Sequence, residues 1–526
     1  MTIPVSATTD VLIVGAGPTG LMLGNQLARN GIRVLIVDKN PGPSVRTKAL
    51  GVQARTLEIY AHLGIAQRAV QLGARGTGAN IWVEGRRAAR VPFGDIGEGL
   101  SPYPFLLILG QDDNERLLGD LLRSRGVEVQ WNTELTDLAQ TAEHVSATVQ
   151  TGEGSKAAIA ARWVAGCDGA HSAVRRLSSI PFLGAPYEHV FFIADTRMSG
   201  PMVPNEINVY VWRGGFHLLF PMRGSDHWRV VGIVPRDLRE REDLDVDAVL
   251  PSVRNEVGPL FSFHACSWFS TYHIHHRRAA RFRDRRCFLL GDAAHIHSPV
   301  GAQGMNTGLQ DAYNLAWKLA LVISGRAGDE LLDSFESERV PIAERLLRTT
   351  DRAFSLVVSD RWLAGVVRAR LLAKVVGFAM SLRWVRALAF RTISQIGIRY
   401  RTSPLSETMP DLHDGAPRTG DRFPWLRLRL AGDGTAGDFF TRLDDTRFNL
   451  IVIGQPVPAD LPDLKGLLVT HHVPDDPVND AELRRAGVPK PSFYLLRPDC
   501  HIGLAGGRLD TSAVTRYVAE RLKLRS

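Results

Sequence analysis

Four consecutive apolar residues, Val11-Leu-Ile-Val14, run into a glycine turn, and Leu21 to Asn30 then place apolar side chains at helical spacing until Gly31 ends the stretch. A second apolar run, Arg33-Val-Leu-Ile-Val-Asp38, follows directly. Short apolar runs flanking a helical period predict a buried strand, a helix and a second, parallel strand. Farther on the period shortens to two. Ile207, Val209 and Val211 alternate with Asn208, Tyr210 and Trp212, and strand-length runs at 205–213, 215–223 and 227–234 are separated by turn residues. This predicts a sheet with two chemically different faces. The apolar runs 161–166 and 287–290 read as strands that return to the first unit. Met305, Leu309, Ala312, Ala316, Leu319, Ala320 and Ile323 recur at helical spacing, so a long helix begins after Gly304, with further helices over about 334–400.

Pro404, Pro410, Pro417 and the glycines between 415 and 437 mark a linker into a last domain. There, strands are expected at 449–453 and 466–470, a hairpin at 492–496 with 500–504, and a closing helix at 512–522. The pattern as a whole is α/β. Its expected division is a dinucleotide-binding unit from 1–180 and 281–400, an inserted substrate-side sheet at 181–280, and a C-terminal domain at 401–526.

Lysine and arginine number 63 against 55 acids, a formal charge of +8, but the two signs are intermixed and no nucleic-acid-reading motif is present, so no nucleic-acid partner is expected. One stretch departs from this mixing. From Arg361 to Arg391 there are seven basic residues and no acid, which reads as a solvated basic face over a packed core, with a membrane-surface role as the alternative. The four cysteines, Cys167, Cys266, Cys287 and Cys500, form no CxxC pair and no metal-ligand spacing. That usage fits buried thiols in a reducing, cytoplasmic setting, with no protein metal site. The apolar stretch from Val11 to Ala28 contains the glycine turn, Asn25 and Gln26, so an integral membrane segment is not expected.

Three signatures far apart in the chain carry the chemistry: Gly15-Ala-Gly17-Pro-Thr19-Gly20; Gly166-Cys-Asp168-Gly169; and Gly291-Asp292-Ala-Ala-His295 followed by Pro299-Val-Gly-Ala-Gln-Gly304. Glycines at 15, 17 and 20 permit a tight turn and close approach of a pyrophosphate to the free amides of the next helix. Asp38 suits a ribose diol and disfavours a 2′-phosphate at that place. Asp168 and Gly169 form a turn open to a second polar segment of the ligand, and Asp292 stands at a strand end suited to a polyol. The helix after Gly304 directs its N-terminal amides at whatever lies before it. Arg46 and Gln111 are candidates for the same site, with a surface loop and a helix cap as their plainer readings. His295 and His297 read as hydrogen-bonded structural residues, and no general base stands out.

With these motifs, over nearly its whole length, the chain resembles the single-component FAD-dependent aromatic hydroxylases, the class of para-hydroxybenzoate, phenol and polyketide-tailoring hydroxylases. The resemblance implies a Rossmann-like FAD-binding domain with an inserted β-sheet substrate domain, and its tail, with Leu495-Leu-Arg-Pro-Asp499, resembles that class's thioredoxin-like C-terminal domain without the CxxC. It implies FAD held by Gly15, Gly17, Thr19, Gly20, Asp38, Lys39, Arg46, Gln111, Leu135, Asp168 and Asp292, with Gly304, Met305 and Asn306 at the ring edge. Arg46 and Pro299 would position the reacting groups. NADPH or NADH would act as a transient reductant, since there is no second glycine fingerprint, and O2 would hydroxylate a phenolic or polycyclic aromatic substrate through a flavin C4a-hydroperoxide. Tyr210, Trp212, His217 and Phe220 are the candidate substrate-lining residues, and a monomer or homodimer is expected. Two alternatives stand beside this reading: Baeyer–Villiger or epoxidising oxygenation on the same scaffold, and a non-catalytic flavin-binding protein.

Overall fold

A computed structural model describes residues 6–525 other than 46, 48, 84, 93–95, 213–214, 223, 225, 240, 242, 258–260, 298–302, 359–374, 376–377 and 463; the side chains of 186–189, 212, 215, 236, 256–257, 273–275 and 350–358 also lie outside the description. The first apolar runs form strand Ser6–Val14, helix Pro18–Arg29 and strand Val34–Val37. Val11, Leu12 and Ile13 are fully buried, as a strand covered on both faces demands. Lys156–Gly166 lies parallel on one side of Ser6–Val14, with Gly166 opposite Val14, and Val34–Val37 lies parallel on the other. Cys287–Leu289 continues the sheet in parallel beyond Lys156–Gly166, and Val129–Gln130 continues it beyond Val34–Val37. All five strands point the same way, so their C-terminal ends form one edge.

Helix Gly304–Ile323 packs along Pro18–Arg29, and every residue from Asn306 to Leu321 is buried. A helix buried all round is mostly apolar. Its four polar exceptions in the middle, Gln310, Asp311, Asn314 and Lys318, therefore need partners inside the protein.

The second sheet has eight strands in the order His295–Ile296, Ser262–Ala279, Phe182–Ser199, His227–Ile233, Gly215–Pro221, Ile207–Trp212, Gly78–Val83, Arg86–Pro92. Its three central runs match the alternating pattern in the sequence. The division by residue number differs from the expected one, because 78–92 lies within 1–180 and 295–296 within 281–400. The hairpin is drawn in by a distant contact: Trp82 stacks on Tyr210 with ring centroids 5.3 Å apart and planes at 11°. No local period announces such a pairing.

A third sheet runs Glu407–Thr408, Ile502–Gly506, Ser492–Leu496, Phe448–Ile453, Leu468–Val473, with helices Pro477–Ala486 and Thr511–Glu520 beside it. The stretch expected to be a linker is instead packed structure. Phe423, Leu426 and Leu428 are buried with Phe439 in this unit's core, so the prolines and glycines shape turns of a wrapped segment. Trp317 and Leu321 of the long helix enter the other face of the same unit.

Candidate active site

Each of the three signatures begins where one of the parallel strands ends. Gly15 has a φ of 102°, and a Cβ there would overlap the Cys167 carbonyl oxygen, while a Cβ on Gly20 would overlap the Gly15 carbonyl. The first two turns thus interlock backbone to backbone, which glycine alone permits. At Gly17, by contrast, no protein atom lies within 4 Å of where a Cβ would stand. This opening faces helix Pro18–Arg29, whose N-terminal amides receive no side-chain cap from Gly17. Open space beside uncapped helix amides is what a pyrophosphate requires.

Asp38 accepts the Ala16 amide on Oδ2 (2.7 Å) and the Asn40 amide on Oδ1 (2.8 Å), which fixes its carboxylate against the glycine loop. Lys39 beside it is exposed. The Thr133 amide donates to the Asp38 carbonyl (2.8 Å), and the strand that starts there breaks register between Leu135 and Asp137. Leu135 therefore sits next to a bulge in the same corner. Gln111 heads helix Gln111–Ser124 and donates to Glu115 (2.8 Å), which also accepts the Ser44 amide (3.0 Å). Thr47 donates to Asp112 of the same helix, so the loop after Lys39 is strapped down on both sides of Arg46. Arg46 itself lies outside the described residues, as does Pro299.

Asp168 accepts the Ala173 and Val174 amides on Oδ2 (2.6 and 3.2 Å), whereas its Oδ1 is buried with no partner within the protein. Burial raises its pKa against the hydrogen bonds it accepts. Gly169 beside it has open space where a side chain would be. A buried acceptor at an open turn calls for a donor from a ligand or an ordered water. The Thr19 hydroxyl nests against both Gly291 and Gly308, so the glycine loop, the Gly291-Asp292 turn and the long helix meet at one side chain. Asp292 is exposed at this junction.

The long helix starts at Gly304 with no side-chain cap from Gln303, which leaves the amides of Gly304, Met305 and Asn306 without helical partners. The Asn306 side chain is committed elsewhere: Oδ1 accepts the Gln53 amide (2.9 Å) and the Thr56 hydroxyl (2.8 Å), and Nδ2 donates to Gly51 O (2.9 Å). Met305 Sδ accepts from Asn114 (3.5 Å). At the ring edge these residues have main chain to offer. Two helix starts without a side-chain cap, an unpartnered buried Asp168 oxygen and an exposed strand-end acid form a donor and acceptor set that fits FAD.

The polar residues of the buried helix form a network that sequence reasoning did not find. Asp311 accepts the Gly291 amide (3.0 Å), a hydrogen bond with His295 (2.8 Å) and Arg339 Nε (2.6 Å), so it holds the Gly291-Asp292 turn from within. Burial pushes its pKa up, but Arg339 and His295 outweigh that and keep it below the usual carboxylate range. Arg339 also donates to the Tyr400 hydroxyl (2.8 Å) and Thr307 O (3.1 Å). About two turns along, Lys318 donates to Asn314 (2.9 Å) and Glu338 (2.8 Å). Glu338 takes Ser403 and Arg497, and Arg497 also pairs with Asp499. Burial opposes ionisation of Glu338, yet Arg497 and Lys318 hold its pKa down at about 2. The Leu495-Leu-Arg-Pro-Asp499 motif thus anchors the C-terminal unit. Its partners stand more than 150 residues away, and no spacing links them.

The second sheet has one face closed by a helix and one partly covered face, where Phe191, Phe216 and Ile233 are buried. Tyr210 and His217 are paired neighbours on the closed face; Tyr210 is packed between Trp82 and Phe261, and His217 lies against Phe192. Val249 and Val253 of helix Val246–Val257 close that core. Trp212 is placed by its backbone on the same face, and its side chain lies outside the description. Phe220 is on the opposite face with Leu218, Val209, Val211 and Ile81, all half-buried. Beside it, Arg229 makes two 2.7 Å bonds to Asp195, a buried pair that sequence reasoning also missed.

Comparison with known proteins agrees with this arrangement. Residues 8–350 match the family model described as FAD binding domain. The chain is 32% identical to 6-methylpretetramide 4-monooxygenase of Streptomyces rimosus, over 96% of this chain and 92% of that protein, and 30% identical to pentachlorophenol 4-monooxygenase of Sphingobium chlorophenolicum, over 80% and 77%. Among solved structures, an anhydrotetracycline hydroxylase from Streptomyces rimosus superposes with a TM-score of 0.78 at 28% identity, covering 99% of this chain and 100% of that one. An aklavinone-11 hydroxylase in ternary complex with FAD and aklavinone gives 0.81 at 25% identity, covering 98% and 99%. Site geometry and similarity converge, and the chain belongs to the FAD-binding family of flavin-dependent aromatic monooxygenases.

Proposed function

We propose that this FAD-dependent monooxygenase uses NAD(P)H and O2 to hydroxylate a phenolic, preferably polycyclic, aromatic substrate. The observation that carries the reading is the meeting of all three signatures at one sheet edge, interlocked at Gly15 with Cys167 and at Thr19 with Gly291 and Gly308. When bound, FAD supplies the electron transfer that dioxygen chemistry needs and that amino-acid side chains cannot perform. The protein binds and orients. Gly17 and the amides after it hold the pyrophosphate, Asp38 and the backbone near Leu135 hold the adenosine, and Asp168 and Asp292 hold the polyol. The amides of Gly304, Met305 and Asn306 stabilise negative charge at the ring edge by about 0.3–2 kcal/mol. Arg46 and Pro299 are proposed to close the reacting side.

For the substrate, the reading moves from Tyr210 and His217, which are core, to Phe220 and the partly covered apolar face around it. The half-buried apolar side chains of Ile81, Val209, Val211 and Leu218 suit one side of a flat polycycle, and the polycyclic substrates in the names of several relatives support this. The wrapped C-terminal unit, a mixed sheet with helices beside it, supports the thioredoxin-like reading in a structural role. No helix among the described residues is long and apolar enough to cross a membrane. Unpaired thiols at all four cysteines support a reducing compartment.

The test is oxygen uptake by the purified yellow protein across a panel of phenols and polycyclic phenols, with mass spectrometry of the products. One added oxygen on an aromatic carbon is the expected result. A folded protein that takes up no FAD overturns the reading, and oxygen inserted beside a ketone carbonyl moves it to the Baeyer–Villiger alternative.

A further inference from the structure

A cavity of about 280 Å3 lies where the loop at Gly99, the segment after helix Arg383–Ile393 and the start of the C-terminal unit come together. Five arginines line it, Arg391, Arg399, Arg401, Arg422 and Arg485, against the single carboxylate of Asp421. Two are neutralised from outside: Arg422 by Glu58 (2.8 Å) and Arg485 by Glu482 (2.7 Å). Of the other three, Arg399 and Arg401 share Asp421. Arg401 takes both of its oxygens at 2.8 Å, Arg399 reaches it at 3.5 Å, and no carboxylate among the described residues lies within ion-pair distance of Arg391.

Arg391 reaches solvent, yet partial burial and then the guanidiniums of Arg399 and Arg422 press its pKa below its ordinary value, with only Asp421 opposing. The chain is shaped to bring these charges together. Gly397 lies so close to the Arg391 carbonyl oxygen that a Cβ would stand 2.8 Å from it, which folds the following residues back against the helix end. Like charges gathered around a cavity repel unless an anion joins them, and planar guanidinium forks match the oxygens of a phosphate. The cavity is linked through one side chain to the long helix. Gln395, next to the lining residue Ile396, donates to the Thr307 hydroxyl (2.9 Å) in the first turn of helix Gly304–Ile323.

We propose that this cavity is a phosphomonoester site, with Arg391 as its principal unsatisfied donor and Arg399 and Arg401 beside it. Two sources carry that group: the 2′-phosphate of NADPH, which rests on the reductant use proposed above, or a separate small phosphate ester.

The FAD-loaded protein is titrated calorimetrically with inorganic phosphate at an ionic strength held constant with chloride. Wild type is expected to show one saturable site, weakened at least tenfold in Arg391→Gln and partly retained in Arg391→Lys, with circular dichroism and the flavin spectrum verifying the fold. Phosphate that binds no better than chloride, or equally well to Arg391→Gln, overturns the proposal. The ratio of KM for NADPH to KM for NADH then identifies the source. A tenfold rise of this ratio in Arg391→Gln, with phosphate competing against NADPH in wild type, assigns the pocket to the 2′-phosphate. An unmoved ratio alongside lost phosphate binding assigns it to a separate ester. The calorimetric arm requires no turnover, so failure of the oxygenation reading leaves it standing.

Discussion

The nucleotide cradle and the seam that joins the C-terminal unit to it are built from opposite materials. At the cradle, glycines and main-chain amides leave space and unsatisfied donors at strand and helix ends, with Gly17 open and the start of the long helix uncapped. At the seam, a few turns along that same helix, long charged side chains fill all available space: Lys318, Glu338, Arg497 and Asp499 are each at most 2% exposed at the side chain. A site that must admit a ligand keeps its polar groups waiting, whereas a permanent joint must pair its charges, because an unpaired buried charge is costly. Asp311 belongs to both regions. It ties the Gly291 amide of the cradle to Arg339, and through Arg339 to Tyr400 of the segment that leads into the C-terminal unit.

The comparison is broken most severely at the crowded glycines. Gly15→Ala, which would drive a Cβ into the Cys167 carbonyl, is expected to weaken FAD binding by at least about a hundredfold, roughly 3 kcal/mol, and to lower the apoprotein's Tm. Gly17→Ala is the contrasting case: the apoprotein keeps its Tm and FAD binding alone weakens, as read by flavin absorbance and thermal melts. Equal melting behaviour of the two variants would remove the distinction between interlock and ligand space.

At the seam, Arg497→Met leaves Glu338 and Asp499 short of a partner and should cost about 3–5 kcal/mol in denaturant unfolding. A smaller effect follows from pH. The folded-state pKa of Glu338 lies at about 2 against an ordinary 4.5, so its stabilisation is whole above about pH 4.5 and is lost as pH falls toward 2. Tm should fall through that window more steeply in wild type than in Glu338→Gln. Smallest of all, Tyr210→Phe should change stability by less than about 1 kcal/mol, since the Tyr210 hydroxyl is buried with no hydrogen-bond partner, and should leave the substrate KM unaltered. A large rise in KM for that variant would return Tyr210 to the substrate pocket.

The cradle was legible in the sequence because its requirements are local. Gly15, Gly17 and Gly20 answer to one turn, and the apolar runs around them announce the strands that carry it. The seam was hidden for the converse reason. Glu338 and Arg497 are ordinary charged residues until a fold places them 2.5 Å apart. The second sheet lies between these extremes: alternation at 207–212 revealed two faces, but helix Val246–Val257 closes one of them, and nothing in a period of two records where a later helix will lie. The hairpin 78–92 and the wrapped segment 404–437 were misassigned on the same ground, since Trp82 and Phe423 find their partners only in three dimensions.

With the Asn306 carboxamide held by Gln53, Thr56 and Gly51, the tip of the long helix has only peptide groups to offer a ligand. Peptide dipoles neither gain nor lose protons, so the field they impose is the same in acid as in alkali. Whatever acidity profile this enzyme's turnover displays must then originate elsewhere than in the cap of that helix.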